Sequence, residues 1–196
     1  MAMTVNNVPL KKCNVNGIKC KRINVNGVKV WSSSVVITNV FGKTNTQLTA
    51  ASLTTTQPRD EHVSGTAVTV TAGHRYYVRA TVVVPSIAGT NQYHGTRAVI
   101  DGNTICDVQY SPTVGYTETT KTGHIIFTAS ASSIKPEIQW YISANTTAAT
   151  HTATFLTLID ITDLETETGT TYTADSFWTD VLESKLFGTT KEIELN

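Results

Sequence analysis

The chain opens on a short motif repeated in register: Val5-Asn6-Asn7-Val8, Val15-Asn16-Gly17-Ile18 and Val25-Asn26-Gly27-Val28, ten residues apart and without insertion. Asn-Gly between β-branched residues is a strong two-residue hairpin signal, because both central positions of a type I′ turn need positive φ. Asn6-Asn7 is a weaker form of it, since Asn enters the left-handed region less readily than Gly. Closing each turn on paper fixes a register. Val5 then faces Val8 and Met3 faces Leu10; Val15 faces Ile18 and Cys13 faces Cys20; Val25 faces Val28 and Ile23 faces Val30. Strand side chains alternate between faces, so each hairpin gathers one apolar quartet: Met3/Val5/Val8/Leu10, Cys13/Val15/Ile18/Cys20 and Ile23/Val25/Val28/Val30. Thr, Asn and Lys take the opposite face.

A one-faced ribbon of this size is not stable alone in water. Its apolar face needs another copy, another subunit or the body of the same chain. Repeated hairpins with that need suit an attachment or oligomerisation segment, with the quartets as its assembly interface. The alternative is a β-meander that edges the domain that follows.

Composition then narrows the remainder. The 196 residues leave room for one good-sized domain beside the repeat. Formal net charge is zero and only 15% of residues are charged, so no electrostatic footprint for nucleic acid or an anionic membrane is present. Thr dominates, with Val, Ile, Ala, Ser and Asn behind it, and few residues favour helix, as in an all-β protein. No apolar run reaches the length of a membrane-spanning helix. Met1-Ala2-Met3-Thr4 leads straight into the repeat, so a product made in a reducing cytoplasm without a secretory signal is expected. Cys13 and Cys20 occupy places that are Met3/Leu10 and Ile23/Val30 in the sister copies, so they read as small hydrophobes rather than as a disulfide or zinc pair. Cys106 reads as core.

Beyond Ser32-Ser33-Ser34 the pattern changes to short alternating runs broken by Gly, Pro and Asn: Val35–Val40, Gln47–Thr56, Ala67–Thr71, His74–Val84, Arg97–Ile100, Thr104–Val108, His124–Ala129, Pro136–Ser143 and Thr152–Ile161. Asp101-Gly102-Asn103 reads as a hairpin turn. This spacing indicates a jelly-roll-like β-sandwich. Thr173-Ala174-Asp175 has the form of an N-cap and acidic first turn for a helix carrying Phe177, Trp178, Val181, Leu182 and Leu186, with Gly188 as its stop. The acidic residues Asp160, Asp163, Glu165 and Glu167 read as a solvated loop. The expected organisation is therefore 1–33 hairpin repeat, 34–166 sandwich, and 167–196 C-terminal helix and tail.

The Val-Asn-Gly-Val-Lys-Val repeat ahead of a Thr-rich sandwich resembles minor structural proteins of bacteriophages and prophages, of the tail-fibre, baseplate or head-fibre type. Arg75-Tyr76-Tyr77-Val78-Arg79-Ala80, Gly123-His124-Ile125-Ile126-Phe127-Thr128-Ala129 and Leu158-Ile159-Asp160-Ile161-Thr162 are similar to strands of the carbohydrate-binding-module-like domains of such proteins. Glu165 to Thr170 departs from the glycine-rich segment usual at that point. The resemblance implies a virion location, other virion proteins of capsid or tail as partners, a homo-oligomer (a trimer, as projecting viral fibres usually are), host-surface glycan as ligand, and calcium as a possible ion. Asp60/Glu61 and Asp160/Asp163 are the carboxylate pairs for calcium, although their spacing alone is weak.

Strand alternation supplies the candidate site. Tyr76 and Trp140 are assigned inward, which leaves Tyr77, Arg79, Gln139 and Tyr141 as a polar-aromatic platform, with Tyr93 and His94 on an adjacent loop. A stacking ring beside hydrogen-bonding groups suits a sugar. An ordinary half-exposed sheet face, or one packed on a sister subunit, reads the same way. No carboxylate pair, nucleophile elbow or zinc-protease motif stands out. The expectation is a non-enzymatic virion structural protein displaying its sandwich; the alternatives are a dedicated glycan-binding adhesin and, more remotely, a polysaccharide-degrading enzyme.

Overall fold

The computed structural model describes residues 4–5, 8–9, 14–15, 18–19, 22–25, 28–32, 34–42, 46–51, 59–86, 94–110, 118–142, 150–182 and 190–194. Two four-stranded antiparallel sheets are built from β1 (Thr46–Ala51), β2 (Arg59–Ser64), β3 (Arg75–Val84), β4 (His94–Ile100), β5 (Asn103–Tyr110), β6 (Thr119–Thr128), β7 (Pro136–Ile142) and β8 (Thr150–Asp160). The first sheet has the order β6-β3-β8-β1 and the second β5-β4-β7-β2. Strands 1 and 8, 2 and 7, 3 and 6, and 4 and 5 are therefore neighbours, the pattern of a long hairpin rolled into two layers. The fold is an all-β jelly-roll sandwich, as the spacing of the runs indicates.

Alternation fills the space between the layers. Tyr76, Val78, Ala80, Val82 and Val84 point inward from β3 and meet Ala98, Ile100, Cys106, Ile138 and Trp140 of the second sheet. The turn from β4 to β5 falls at Asp101-Gly102, both with positive φ (48° and 74°), and sets Ile100 opposite Asn103. At the N-terminus, Val5 pairs with Val8, Val15 with Ile18 and Val25 with Val28, the registers that the turns demand. The third hairpin departs further out: a bulge between Ile23 and Asn24 sets Ile23 opposite Trp31 instead of Val30. The side chains of the hairpins, and so the quartets from Met3 to Val30 with Cys13 and Cys20, lie outside the described residues.

One end of the outer face of the first sheet is covered. Ser34–Thr38 forms a two-stranded ribbon with Thr190–Glu194. Two short helices follow β8: α1 (Thr162–Thr168) and α2 (Ala174–Phe177), the latter continued by a π-helical turn over Trp178–Leu182. Ile37, Leu164, Phe177, Val181 and Leu182 close over Tyr77, Ile159 and Ile161 to make a second core. The α2 start is the expected one, with Thr173 and Ser176 capping each other. By contrast α1 replaces the solvated loop expected at Asp160–Glu167. Its buried Leu164 anchors it, and Gly169 (φ 67°) stops it by donating to the Glu165 carbonyl. Arg59–Ser64, absent from the runs expected as strands, is an edge strand, a place where charged side chains are suited.

One side chain links ribbon and sandwich. The β3–β8 register jumps between Arg79/Thr157 and Ala80/Phe155, leaving Leu156 unmatched, and β1 ends opposite Phe155. Asn39, almost fully buried, serves this irregular stretch of β8: its amide donates to the carbonyls of Leu156 (3.3 Å) and Gly42 (3.1 Å), while its Oδ1 accepts from the backbone N–H of Leu158 (3.0 Å) and Phe41 (3.2 Å). Asn39→Ala leaves these groups unpaired in a buried setting and is expected to cost about 3 kcal/mol, read as a lower urea midpoint with unchanged slope.

Candidate functional site

The second sheet is the one with an open polar face. On β4, β5 and β7 the residues Thr96, Ala98, Cys106, Val108, Ile138 and Trp140 are turned inward and buried, so alternation turns Arg97, Asp107, Gln139 and their neighbours outward. The pairing aligns them in two rows across the strands. One row runs Asp107, Arg97, Gln139, His62; the next runs Gln109, Gly95, Tyr141, Asp60. Apart from Asp60, whose side chain lies outside the described residues, they line a groove of about 660 Å³, with Glu61 at its β2 edge. Gly95 contributes no side chain, so the second row dips between Gln109 and Tyr141.

Polar contacts orient part of this surface. Gln109 donates to Asp107 (2.8 Å) and Gln139 to Glu137 (3.4 Å), while Glu137 also accepts from Ser64 (3.0 Å). Arg97 differs: it is half-buried, and among the described residues its guanidinium has neither a hydrogen bond nor an ion pair. A cation of five N–H donors held in a fixed fork, beside carboxylate and amide groups and a tyrosine ring, can bind the oxygens of a polyhydroxylated or acidic ligand.

The sequence-derived platform is thus divided between two sheets. Gln139 and Tyr141 line the groove. Tyr77 and Arg79 lie on the outer face of the first sheet, under the C-terminal helices. Tyr77 is fully buried, its ring 4.9 Å from that of Phe177 and 5.7 Å from that of His124. Burial raises its phenol pKa, the charge of Arg79 opposes the rise and that of Asp175 adds to it, so the hydroxyl stays protonated. Arg79 lies 4.3 Å over the ring of Trp178, and His124 pairs with Asp175 at 2.7 Å. These contacts fasten α2 to the sheet and correct the assignment of Tyr77 and Arg79 to an open binding face. Tyr93 lies outside the described residues. His94 begins β4, with its side chain outside them. Arg97, Asp107, Gln109, His62 and Gly95 were not singled out from the sequence: the Asp101-Gly102 turn alone sets Arg97 opposite Cys106, and a bulge between Ala98 and Val99 moves its partner to Asp107.

The carboxylates proposed for calcium have other roles where they are described. Asp160 accepts from His74 Nδ1 (2.7 Å) and from the Thr162 N–H (3.0 Å), Glu61 edges the groove, and the Asp60 side chain lies outside the described residues; Glu165, not one of these pairs, meets Arg75 (2.5 Å). Among the described residues no three His, Cys, Asp or Glu side chains gather as ligands, and no helix is long and apolar enough to cross a membrane.

No protein-family model matches the chain, and no curated protein matches its sequence. Among solved structures it is similar to the C-terminal domain of EclA, a sugar-binding protein, at 16% identity and a TM-score of 0.31, over 59% of this chain and 79% of that one. It is also similar to the VP2 subviral particle of infectious bursal disease virus (11% identity, TM-score 0.28, 89% of this chain and 43% of that one). The Gt strain of the same virus gives 14% identity and a TM-score of 0.27, over 72% of this chain and 46% of that one. At such scores the likeness carries no functional information.

Burial raises the Asp160 pKa, but the hydrogen bonds from His74 and Thr162 outweigh it and hold the carboxyl below its ordinary 3.8. A depressed folded-state pKa contributes stability above pH 3.8 that is lost as pH falls through the folded value. Asp160→Asn is therefore expected to be less stable than the parent at pH 6, with the gap in urea midpoint closing below pH 3.8. A gap that stays constant down to pH 2 would show that the charge contributes nothing.

Proposed function

We propose that this chain is a non-enzymatic structural protein of a virion, of the bacteriophage type, attached through its N-terminal hairpins and displaying a jelly roll whose open sheet binds host-surface glycan. The unpartnered Arg97 guanidinium in the groove is the observation that carries the glycan reading. Among the described residues this half-buried cation has no protein partner, so its N–H donors are open to a ligand's oxygens in place of water. Tyr141 adds a ring for the C–H face of a sugar, and Gln109, Gln139 and Asp107 add donors and acceptors for its hydroxyls.

Attachment is supported by where the arm joins the sandwich. The third hairpin ends at Ser32 and the next described strand, Ser34–Thr38, lies on the covered side of the first sheet. The junction and the open face are thus on opposite sides of the sandwich, the arrangement a displayed binding domain needs. Partners on the attachment side are other virion proteins of capsid or tail, and further copies of the chain, with a trimer as the working stoichiometry.

Two experiments test the two halves. On a printed array of bacterial and eukaryotic glycans, the full chain is expected to bind, and both Arg97→Ala and Tyr141→Ala to lose the signal with unchanged circular dichroism. Retention of full binding in both variants would place the ligand elsewhere. For attachment, light scattering should give an oligomer for the full chain and a folded monomer after removal of residues 1–31. Monomers in both cases remove self-assembly and leave only a foreign virion partner for the hairpins.

A further inference from the structure

Two glycines lie within the sandwich strands, Gly95 in β4 and Gly123 in β6, and they have different reasons for being there. A Cβ added at Gly123 would fall 2.5 Å from the Ile105 carbonyl oxygen and 2.7 Å from Cys106 Cβ. The edges of the two sheets approach each other at that point, and only glycine fits. Gly95 has no such requirement. Its φ is not positive, and an added Cβ would meet nothing nearer than Gln109 Cγ at 3.5 Å and the Val108 carbonyl oxygen at 3.6 Å, ordinary contact distances. A glycine inside a strand forfeits side-chain packing and adds chain entropy to the unfolded state. The fold itself therefore gives no reason for one at position 95.

The groove gives that reason. Gly95 faces Gln109 on one side and Tyr141 on the other, in the row next to Arg97. Strand spacing sets the backbones of β5 and β7 about 9.5 Å apart across it, and Gly95, buried at the base of the groove, puts no side chain of its own between them. We infer that Gly95 is the floor of a single-sugar subsite, a specificity-determining position where a pyranose ring rests against the β4 backbone between Gln109 and Tyr141. Arg97, two residues along the same strand and about 7 Å away, reaches an equatorial hydroxyl or a carboxylate on that ring. This inference rests on the glycan reading of the open sheet. It adds a claim of its own: the absence of a side chain at 95 admits the ligand and is not needed for folding.

The test uses the full chain with Gly95→Ala and Gly95→Leu, and Gly123→Ala as the structural comparison. Ligands are the methyl glycosides of glucose, galactose, mannose, N-acetylglucosamine and glucuronic acid, followed by saturation-transfer NMR and titration. Gly95→Ala is expected to raise Tm by about 1–4 °C, whereas Gly123→Ala lowers it. Gly95→Leu, which fills the slot, is expected to weaken the bound glycoside roughly tenfold or more, with Gly95→Ala in between. If a glycoside binds and Gly95→Leu keeps parental affinity, the floor assignment fails while the open sheet stands as a sugar site. A fall in Tm for Gly95→Ala makes the glycine a folding requirement and also overturns the inference. No binding of any glycoside by the parent, and none on the glycan array, removes the glycan reading and the subsite with it.

Discussion

The structure depends on a mismatch in β8 and on the side chain that resolves it. With Leu156 unmatched, the inward set changes from Ala153 and Phe155 to Leu158, so Thr157, Ile159 and Ile161 fall on the outer face. That change of parity supplies part of the apolar ground on which the C-terminal helices and the ribbon settle. It also interrupts backbone pairing next to the end of β1, and buried backbone groups have to find partners. Asn39 provides them through its amide, and Val40 adds a 2.7 Å bond from its N–H to the Leu158 carbonyl. Because Asn39 directly follows Ser34–Thr38, the same contact fixes the segment that joins the hairpins to the sandwich.

From this follows the asymmetry of the two sheets. The first is buried by the sandwich core on one face and, over the Tyr77–Ile159 end of the other, by Ile37, Leu164, Phe177, Val181 and Leu182, while Thr81, Val83, Thr152 and Thr154 further along stay partly exposed. Burying one aromatic or aliphatic side chain of this kind is worth about 1.5–3 kcal/mol. The cover is substantial even though its helices are short. Polar contacts at its margin keep it in place: Arg75 with Glu165, His124 with Asp175, and Arg79 over Trp178. The second sheet has no such cover among the described residues. Its outward side chains are Asp107, Arg97, Gln139, Gln109 and Tyr141, which suit contact with a polar ligand more than with another layer of apolar side chains.

This asymmetry also separates what was legible in the sequence from what was not. Period-two alternation placed Tyr76 and Trp140 inward, and both are buried in the main core. The same alternation placed Tyr77 and Tyr141 outward, and in each case that is the face they occupy. It cannot tell an outward face that meets water from one that meets a helix arriving from a hundred residues downstream. Tyr77 and Phe177 meet only in the folded chain. Turn chemistry was readable at Asp101-Gly102, the pairings Val15–Ile18 and Val25–Val28 are the ones two-residue turns demand, and register slipped at the bulges, Ile23/Asn24 and Leu156, which leave no periodic trace. Strand β2 was hidden by its charges, and α1 by having Leu164 as its only fully buried residue. Arg97 and Gly95 could not be recognised as site residues until β4 had neighbours on both sides.

A shallow groove on a sheet limits how tightly one copy can hold a sugar. Few ligand atoms are enclosed, water competes for every hydroxyl, and ordering the sugar offsets part of the contact energy. On the proposed reading the hairpin arm and the open sheet are parts of one design. If the arm fixes several copies on a particle with their open faces outward, the second and later contacts become intramolecular, and overall attachment strengthens by orders of magnitude without any new contact at the groove. An adhesive surface of this kind gains more from the number and orientation of its copies than from enclosing its ligand. On the proposed reading, that accounts for the C-terminal helices and ribbon lying on the far side of the sandwich from the groove.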